Sequence, residues 1–140
     1  MKQALVNALP APASKGEGVR PKLIIFVSED WYFWSHRLPL AIAGKAAGYE
    51  VVVITRFSSY EDAIRAHGFD LIPIRMTRRT TSLRRELSAL REIVGIYREL
   101  RPDVVHHVAI KPVLYGSIAA RFAGVSGVVN ALTGLGWLFS

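Results

Sequence analysis

A chain of 140 residues, 51% of them hydrophobic, suffices for one compact domain or for one domain's worth of a larger protein. It has no cysteine, which removes disulfides and thiolate metal sites and fits a reducing, cytosolic compartment. A formal net charge of +7 implies attraction to anions, whether phosphate diesters, nucleic acid or an anionic lipid surface.

Residues 1–21 are rich in Ala, Pro and Gly without periodicity and read as a disordered leader. Pro10, Pro12 and Gly16 interrupt any signal-peptide core, and nothing later approaches the roughly 18 consecutive apolar residues of a spanning helix. The chain is expected neither to span a membrane nor to be exported. Lys22 to Ser28 (KLIIFVS) is a continuous apolar run suited to a strand buried on both faces. Glu29 to His36 then reads as a loop, and Leu38 to Ala47 as a helix closed by Gly48.

Val51 to Thr55 predicts a second buried strand. Ser58 and Glu61 form a capping box for a short helix through His67, ended by Gly68. Leu71 to Arg75 follows as a third strand, placed at an edge by Pro73. Ser82 caps the longest helix, whose stripe Leu83, Leu87, Leu90, Val94 and Tyr97 ends at Arg101 before Pro102. Val104 to His107, a helix from Pro112 to Ala123 stopped by Gly124, and Gly127 to Leu132 complete five strands and four helices in alternation. Such alternation means a doubly wound, Rossmann-like parallel sheet with right-handed crossovers and Lys22 to Ser28 central. Leu87, Leu90, Val94, Ile118 and Ala119 are expected in its core.

The chemistry-bearing residues gather where strands end, which is where an open α/β sheet keeps its ligand. His36 and Arg37 enter the first helix, where free N–H groups and the dipole favour an anion. Lys111 also stands at a helix start, where a cation gains nothing from the dipole and makes better sense meeting a phosphate. His106 and His107, adjacent on a strand, point to opposite faces. At most one of them, His107, is expected at the ligand, and a shared metal is not. The run after the fifth strand brings Thr133, Gly134, Leu135 and Gly136 to the same edge. No glycine fingerprint follows the first strand, which argues against a nicotinamide or flavin dinucleotide. No cofactor, metal or catalytic triad is called for.

Trp31, Tyr32, Phe33 and Trp34 make the first loop unusually aromatic, leaving packing and a membrane or partner surface both open. Arg75, Arg78, Arg79, Arg84 and Arg85 form a basic cluster that suits anionic lipid headgroups. Nucleic acid is the rival, but no helix-turn-helix, zinc-finger or RNP signature accompanies the arginines. Trp31, Trp34, Arg78, Arg79, Arg84 and Arg85 are thus the candidate membrane contacts.

The pieces WSHRLPLA, RPDVVHHVAIKPVLYGSIAARFAGV and VVNALTGLGWLF together resemble the N-terminal domain of bacterial family 4 glycosyltransferases of the GT-B fold, from Lys22 to the last residue. The likeness is strongest to the branch that builds lipid-linked oligosaccharides for capsule, exopolysaccharide, O-antigen or N-glycan precursors. The resemblance implies a retaining hexosyltransferase in which this half, incomplete at its C-terminus, binds a polyprenyl-diphosphate-linked or polysaccharide acceptor at the inner face of the plasma membrane. A second half, absent here, binds the nucleotide-sugar, so this chain alone is expected to be inactive. By the same resemblance Arg37 lies near a phosphate, Lys111 in the acceptor cleft, and Thr133, Gly134 and Gly136 face the donor sugar. Relatives carry a histidine or an acid where Thr133 stands and Gly-Gly where the aromatics stand, so no catalytic side chain is assigned. The alternative is a stand-alone, membrane-associated binding subunit of a split glycosyltransferase.

Overall fold

In the first strand, β1 (Lys22–Glu29), the side chains from Leu23 to Val27 are all buried. The computed structural model describes residues 18–76 and 82–132. After β1 comes a continuous helical run made of α1 (Asp30–Tyr32), a π-helical segment (Phe33–Arg37) and α2 (Leu38–Ala46). Then follow β2 (Glu50–Arg56), α3 (Glu61–Arg65), β3 (Asp70–Pro73), α4 (Leu83–Leu100), β4 (Val104–Val108), α5 (Ile110–Ala123) and β5 (Gly127–Ala131). The strands form one sheet in the order β3-β2-β1-β4-β5, and every pairing is parallel. This is the expected Rossmann-like architecture, with β1 central and Pro73 on the edge strand.

Because neighbouring side chains on a strand face opposite ways, β1 feeds two cores. Leu23, Ile25 and Val27 pack with Val51, Val53, Phe33, Ala41 and Ile64 on the face covered by α2 and α3. Ile24 and Phe26 pack with Val52, Ile54, Ile93, Tyr97, Ala119 and Ala120 under α4 and α5. The starts of β1 and β4 are tied together by Asp103, whose carboxylate accepts the Lys22 N–H at 2.8 Å while its own N–H donates to the Lys22 carbonyl at 2.9 Å.

Three local expectations are corrected. The segment from Asp30 to Arg37 is helix and not loop, since its aromatics supply an apolar helical face: Phe33 is buried edge-on to Phe69, at 6.2 Å between rings. Ser58 does not cap α3, which starts from Tyr60; its N–H and hydroxyl instead donate to Asp30. Of the five expected core residues Ala119 is buried, Leu90, Val94 and Ile118 are half-buried, and Leu87 is 53% exposed, next to Leu83 at 74%. Length explains this: 18 helical residues span about 27 Å, while the five residues of β4 span about 17 Å, so the first turns of α4 overhang the sheet.

At the β4–α5 junction Ala109 adopts φ 77°, ψ 166°, a region open essentially to glycine alone. Its N–H donates to the Ala131 carbonyl at 3.0 Å and its carbonyl accepts from Val113 at 3.0 Å, so the chain is held there from both sides. Replacing Ala109 by glycine should therefore stabilise the fold by about 1 kcal/mol, the relieved strain less the entropy glycine adds to the unfolded chain. Urea melts of the A109G protein should show a higher midpoint at unchanged slope; a lower midpoint would mean that alanine is unstrained there.

Candidate functional site

The C-terminal ends of β1, β3 and β4 share one edge of the sheet, and the crevice between β1 and β4 is where the strand order reverses. Asp30, the first residue past β1, is fully buried. Its carboxylate accepts the Ser58 N–H at 2.7 Å, the Ser58 hydroxyl at 2.8 Å and the Tyr60 N–H at 3.0 Å. Burial pushes its pKa up, but the hydrogen bonds from Ser58, Tyr60 and Trp31 outweigh that and hold it below the usual value. Asp30 thus ties the β2–α3 connection to the start of the first helix.

His36 and Arg37 lie inside the helical run and not at its start, because the helix begins seven residues before Arg37, at Asp30. The anion-binding argument from free N–H groups does not apply to them. His36 is exposed and stacks on Tyr32, with ring centroids 4.3 Å apart. Arg37 is half-buried, donates weakly from Nη1 to the His36 carbonyl at 3.4 Å, and encloses an Nε–H without a partner.

The two histidines of β4 point to opposite faces, as a strand dictates. His107, the one assigned to the ligand from sequence, is the enclosed member. It is 0% exposed; Nδ1–H donates to Asn130 Oδ1 at 2.7 Å, and Nε2 accepts from the Tyr97 hydroxyl at 2.8 Å. Asn130 in turn donates to Ser117 Oγ at 3.0 Å. Gly116 lies directly against the ring, and a Cβ there would overlap it. His106 is 7% exposed on the α2 side, its Nδ1–H donating to the Val129 carbonyl at 3.2 Å, and its Nε2 has no partner. Both histidines are thus buried, and the one expected at the ligand, His107, is bonded through both ring nitrogens.

Lys111 stands in the first turn of α5, where Nζ lies 3.3 Å from Glu86 Oε1 and 5.8 Å from the Tyr115 ring. It borders an open cavity of about 910 Å³ with Arg75, Arg85, Glu86, Met76 and Glu92. This cavity lies on the α4 side of the sheet, past the end of β3. Trp34 is packed against Tyr60 and His67, at 5.8 Å to each ring, so of the two tryptophans only Trp31, 44% exposed, presents a free face. Arg84 and Arg85 are exposed. Arg78, Arg79, Thr133, Gly134 and Gly136 lie outside the described residues.

The model of the family described as Glycosyl transferase 4-like matches residues 22–140. The chain belongs to that family. Among solved structures it is similar to MurG of Acinetobacter baumannii (TM-score 0.59, 18% identity, 79% of this chain and 33% of MurG) and to the glycosyltransferase VinC, solved in complex with dTDP (0.56, 20%, 77% and 34%). The chain therefore spans about a third of the length of these two glycosyltransferases. It is similar also to the C-terminal domain of a Pyrococcus furiosus hydrogenase (0.57, 16%, 89% and 97%), so the fold is shared beyond glycosyltransferases and the family match carries the assignment. No curated protein matches the chain.

In this glycosyltransferase-family domain the side chains that the sequence reading did not connect to the strand-end residues are Glu86, Asn130 and Tyr97. The lone asparagine in the apolar run of β5 was the available signal for the His107 network. Burial lowers the pKa of His106 to about 4, helped by the nearby Arg37 cation, and burial lowers that of His107 to about 4 as well. Burial also raises the Tyr97 hydroxyl far above its ordinary range, so it remains a donor to His107.

Neutral burial of both imidazoles makes stability pH-dependent in a defined direction. Above about pH 6.5 neither the folded nor the unfolded chain protonates them, and stability is full. As pH falls from 6.5 to about 4, the unfolded chain takes up protons that the folded one does not, at a cost of up to about 3 kcal/mol per histidine. The Asp30 contribution survives this window, being lost only as pH falls below the ordinary carboxylate value of 3.8. The urea midpoint should thus drop steeply between pH 6.5 and 4; a midpoint flat across that range would mean that the imidazoles are solvated.

Proposed function

We propose that this chain is the acceptor-binding half of a glycosyltransferase that moves a sugar from a nucleotide-sugar to a lipid-linked or polysaccharide acceptor in cell-envelope glycan synthesis. The observation that carries the reading is the cavity at the C-terminal edge of the sheet, where Arg75, Arg85 and Lys111 offer positive charge to a phosphorylated acceptor. Arginine supplies paired donors for phosphate oxygens and lysine a point charge, the combination that a diphosphate requires. The family match and the likeness to MurG and VinC support the enzyme class. The donor half lies outside this chain, which is inactive without it. By the family resemblance, Thr133, Gly134 and Gly136 are assigned to the donor sugar.

Work at a membrane surface is part of the reading. No helix among the described residues is long and apolar enough to cross a membrane, so attachment would be peripheral. The overhanging start of α4 supports it, since Leu83 and Leu87 are exposed beside Arg84 and Arg85. Apolar side chains flanked by cations suit an anionic bilayer surface better than the packed Trp34 does.

Calorimetry on the 140-residue chain tests the acceptor assignment. Farnesyl diphosphate should bind, and Lys111→Ala should weaken it about tenfold to a hundredfold, since a charge-assisted contact contributes about 1.5 to 3 kcal/mol. Glu86→Gln, which frees Lys111 from its ion pair, should strengthen it. UDP- and GDP-sugars should show no micromolar binding; such binding would mean that the donor half has been mistaken for the acceptor half.

Vesicle sedimentation tests the membrane. Each basic residue near an anionic surface contributes about 1 kcal/mol, and that part fades with salt while inserted apolar side chains keep theirs. Binding to anionic vesicles should therefore weaken without vanishing as salt rises, and Arg84→Glu with Arg85→Glu should remove the salt-sensitive part. Equal binding to zwitterionic vesicles, or salt-sensitive binding to RNA of similar strength, would reject the membrane assignment.

A further inference from the structure

The outer surface of α4 carries a pattern that neither the sheet nor the basic cavity uses. Its apolar residues Leu83, Leu87, Leu90, Val94 and Tyr97 fall at alternating steps of four and three, the a/d repeat of a coiled coil. Tyr97 ends that series in the core, but Leu90 and Val94 are only half-buried and Leu87 is exposed. The residue after each d position is an arginine. Arg84, Arg91 and Arg98 thus stand seven apart, at the e positions from which a coiled-coil helix pairs with its partner. All three are exposed, and among the described residues none forms an ion pair with a carboxylate.

Beside this stripe α5 completes a furrow. The two helices are joined near their starts by Lys111 and Glu86, and near their ends by Arg98, whose Nη2 donates to the Phe122 carbonyl at 3.4 Å. Between these ties lies an open groove of about 320 Å³, lined by Leu90, Val94 and Phe122 with Arg91, Gly95 and Arg98. Phe122 is 64% exposed there. Gly95 needs an explanation of its own, because glycine inside a helix is destabilising relative to alanine. A Cβ at Gly95 would meet nothing within 4 Å, so packing among the described residues does not require glycine. The missing side chain, between Arg91 and Arg98, instead opens the groove to a close approach from outside.

These features select an occupant. A flat bilayer reaches side chains that stand out, such as Leu83, and has no use for a cation at every seventh residue. An α-helix, about 10 Å across, fills a furrow between two others, and its own heptad repeat brings side chains to Arg91 and Arg98 in register. Unpaired cations along the groove call for carboxylates opposite them. We propose that the groove between α4 and α5 docks an acidic amphipathic helix of a partner protein, its apolar a/d residues on Leu90, Val94 and Phe122 and its flanking carboxylates on Arg91 and Arg98. Such docking does not depend on the glycosyltransferase reading, and the α4 tip proposed for the membrane, Leu83 with Arg84 and Arg85, lies outside the groove.

The test is calorimetry of the full chain with a synthetic three-heptad peptide carrying Leu at a and d, Glu at e and g, and Ala or Gln elsewhere, which like-charge repulsion keeps from pairing with itself. The same peptide with Lys at e and g is the control. The acidic peptide should bind and the basic one should not. Arg91→Glu with Arg98→Glu should abolish binding of the acidic peptide and create binding of the basic one, an exchange that misfolding cannot mimic. Gly95→Leu should keep the chain folded in thermal melts, since leucine is the better helix former and the space is open, yet weaken the acidic peptide about tenfold or more. Phe122→Ser, which changes no charge, should also weaken the peptide about tenfold while leaving sedimentation with anionic vesicles unchanged. The opposite pattern would give the groove to the bilayer and overturn the docked helix. Failure of the acidic peptide to bind, equal binding of both peptides, or unchanged binding in Gly95→Leu would overturn it too.

Discussion

The burial of β1 on both faces is the constraint from which the remaining architecture follows. Side chains that alternate above and below a strand, all of them apolar from Leu23 to Val27, require a strand on each side and helices above and below. Parallel neighbours need crossovers, and right-handed crossovers send the segments after β1 and β2 to one face and those after β3 and β4 to the other. All C-terminal strand ends then share an edge. Polar groups that no strand interior could hold, such as Asp30, Arg75 and Lys111, collect there by necessity, before any ligand is considered.

Period two on β4 does the same at the scale of one dipeptide. Val105 and His107 face α4 and α5, Val104, His106 and Val108 face the other way, and identical residue types meet opposite fates. His107 enters a chain, Ser117 to Asn130 to His107 to Tyr97, in which both of its ring nitrogens have partners and the neutral tautomer is dictated. Gly116 is the accommodation in α5 that lets the ring sit there. His106 has one bond and one open lone pair. A satisfied network specifies packing.

Much of the fold was legible because its signals are local and redundant. Continuous apolar runs marked β1 and β2, Pro73 marked an edge, and Gly48, Gly68 and Gly124 closed turns at positive φ. The aromatic helix was not legible, since Trp31 to Trp34 carries no helical period of its own and is recruited by Phe69, Tyr60 and His67 from later in the chain. Ser58 failed as a cap for the same reason: a buried carboxylate distant in sequence outbid the local one. Alternation predicted that the two histidines diverge, but which of them is enclosed depends on Tyr97 and Asn130, contributed by two other elements. Site residues were therefore readable as a set of strand ends and not as individual roles.

On the proposed acceptor reading, charge at the C-terminal edge is what would give such a set selectivity. Lys111 is held by Glu86 at 3.3 Å with both side chains mostly shielded from water, so an incoming anion must compete with a carboxylate already in place. A singly charged anion offers Lys111 little beyond what Glu86 supplies. A diphosphate carries more charge and more acceptor oxygens, and Arg75 and Arg85 line the same cavity to take them. On that reading the acid within the basic cavity raises the threshold for binding without abolishing it.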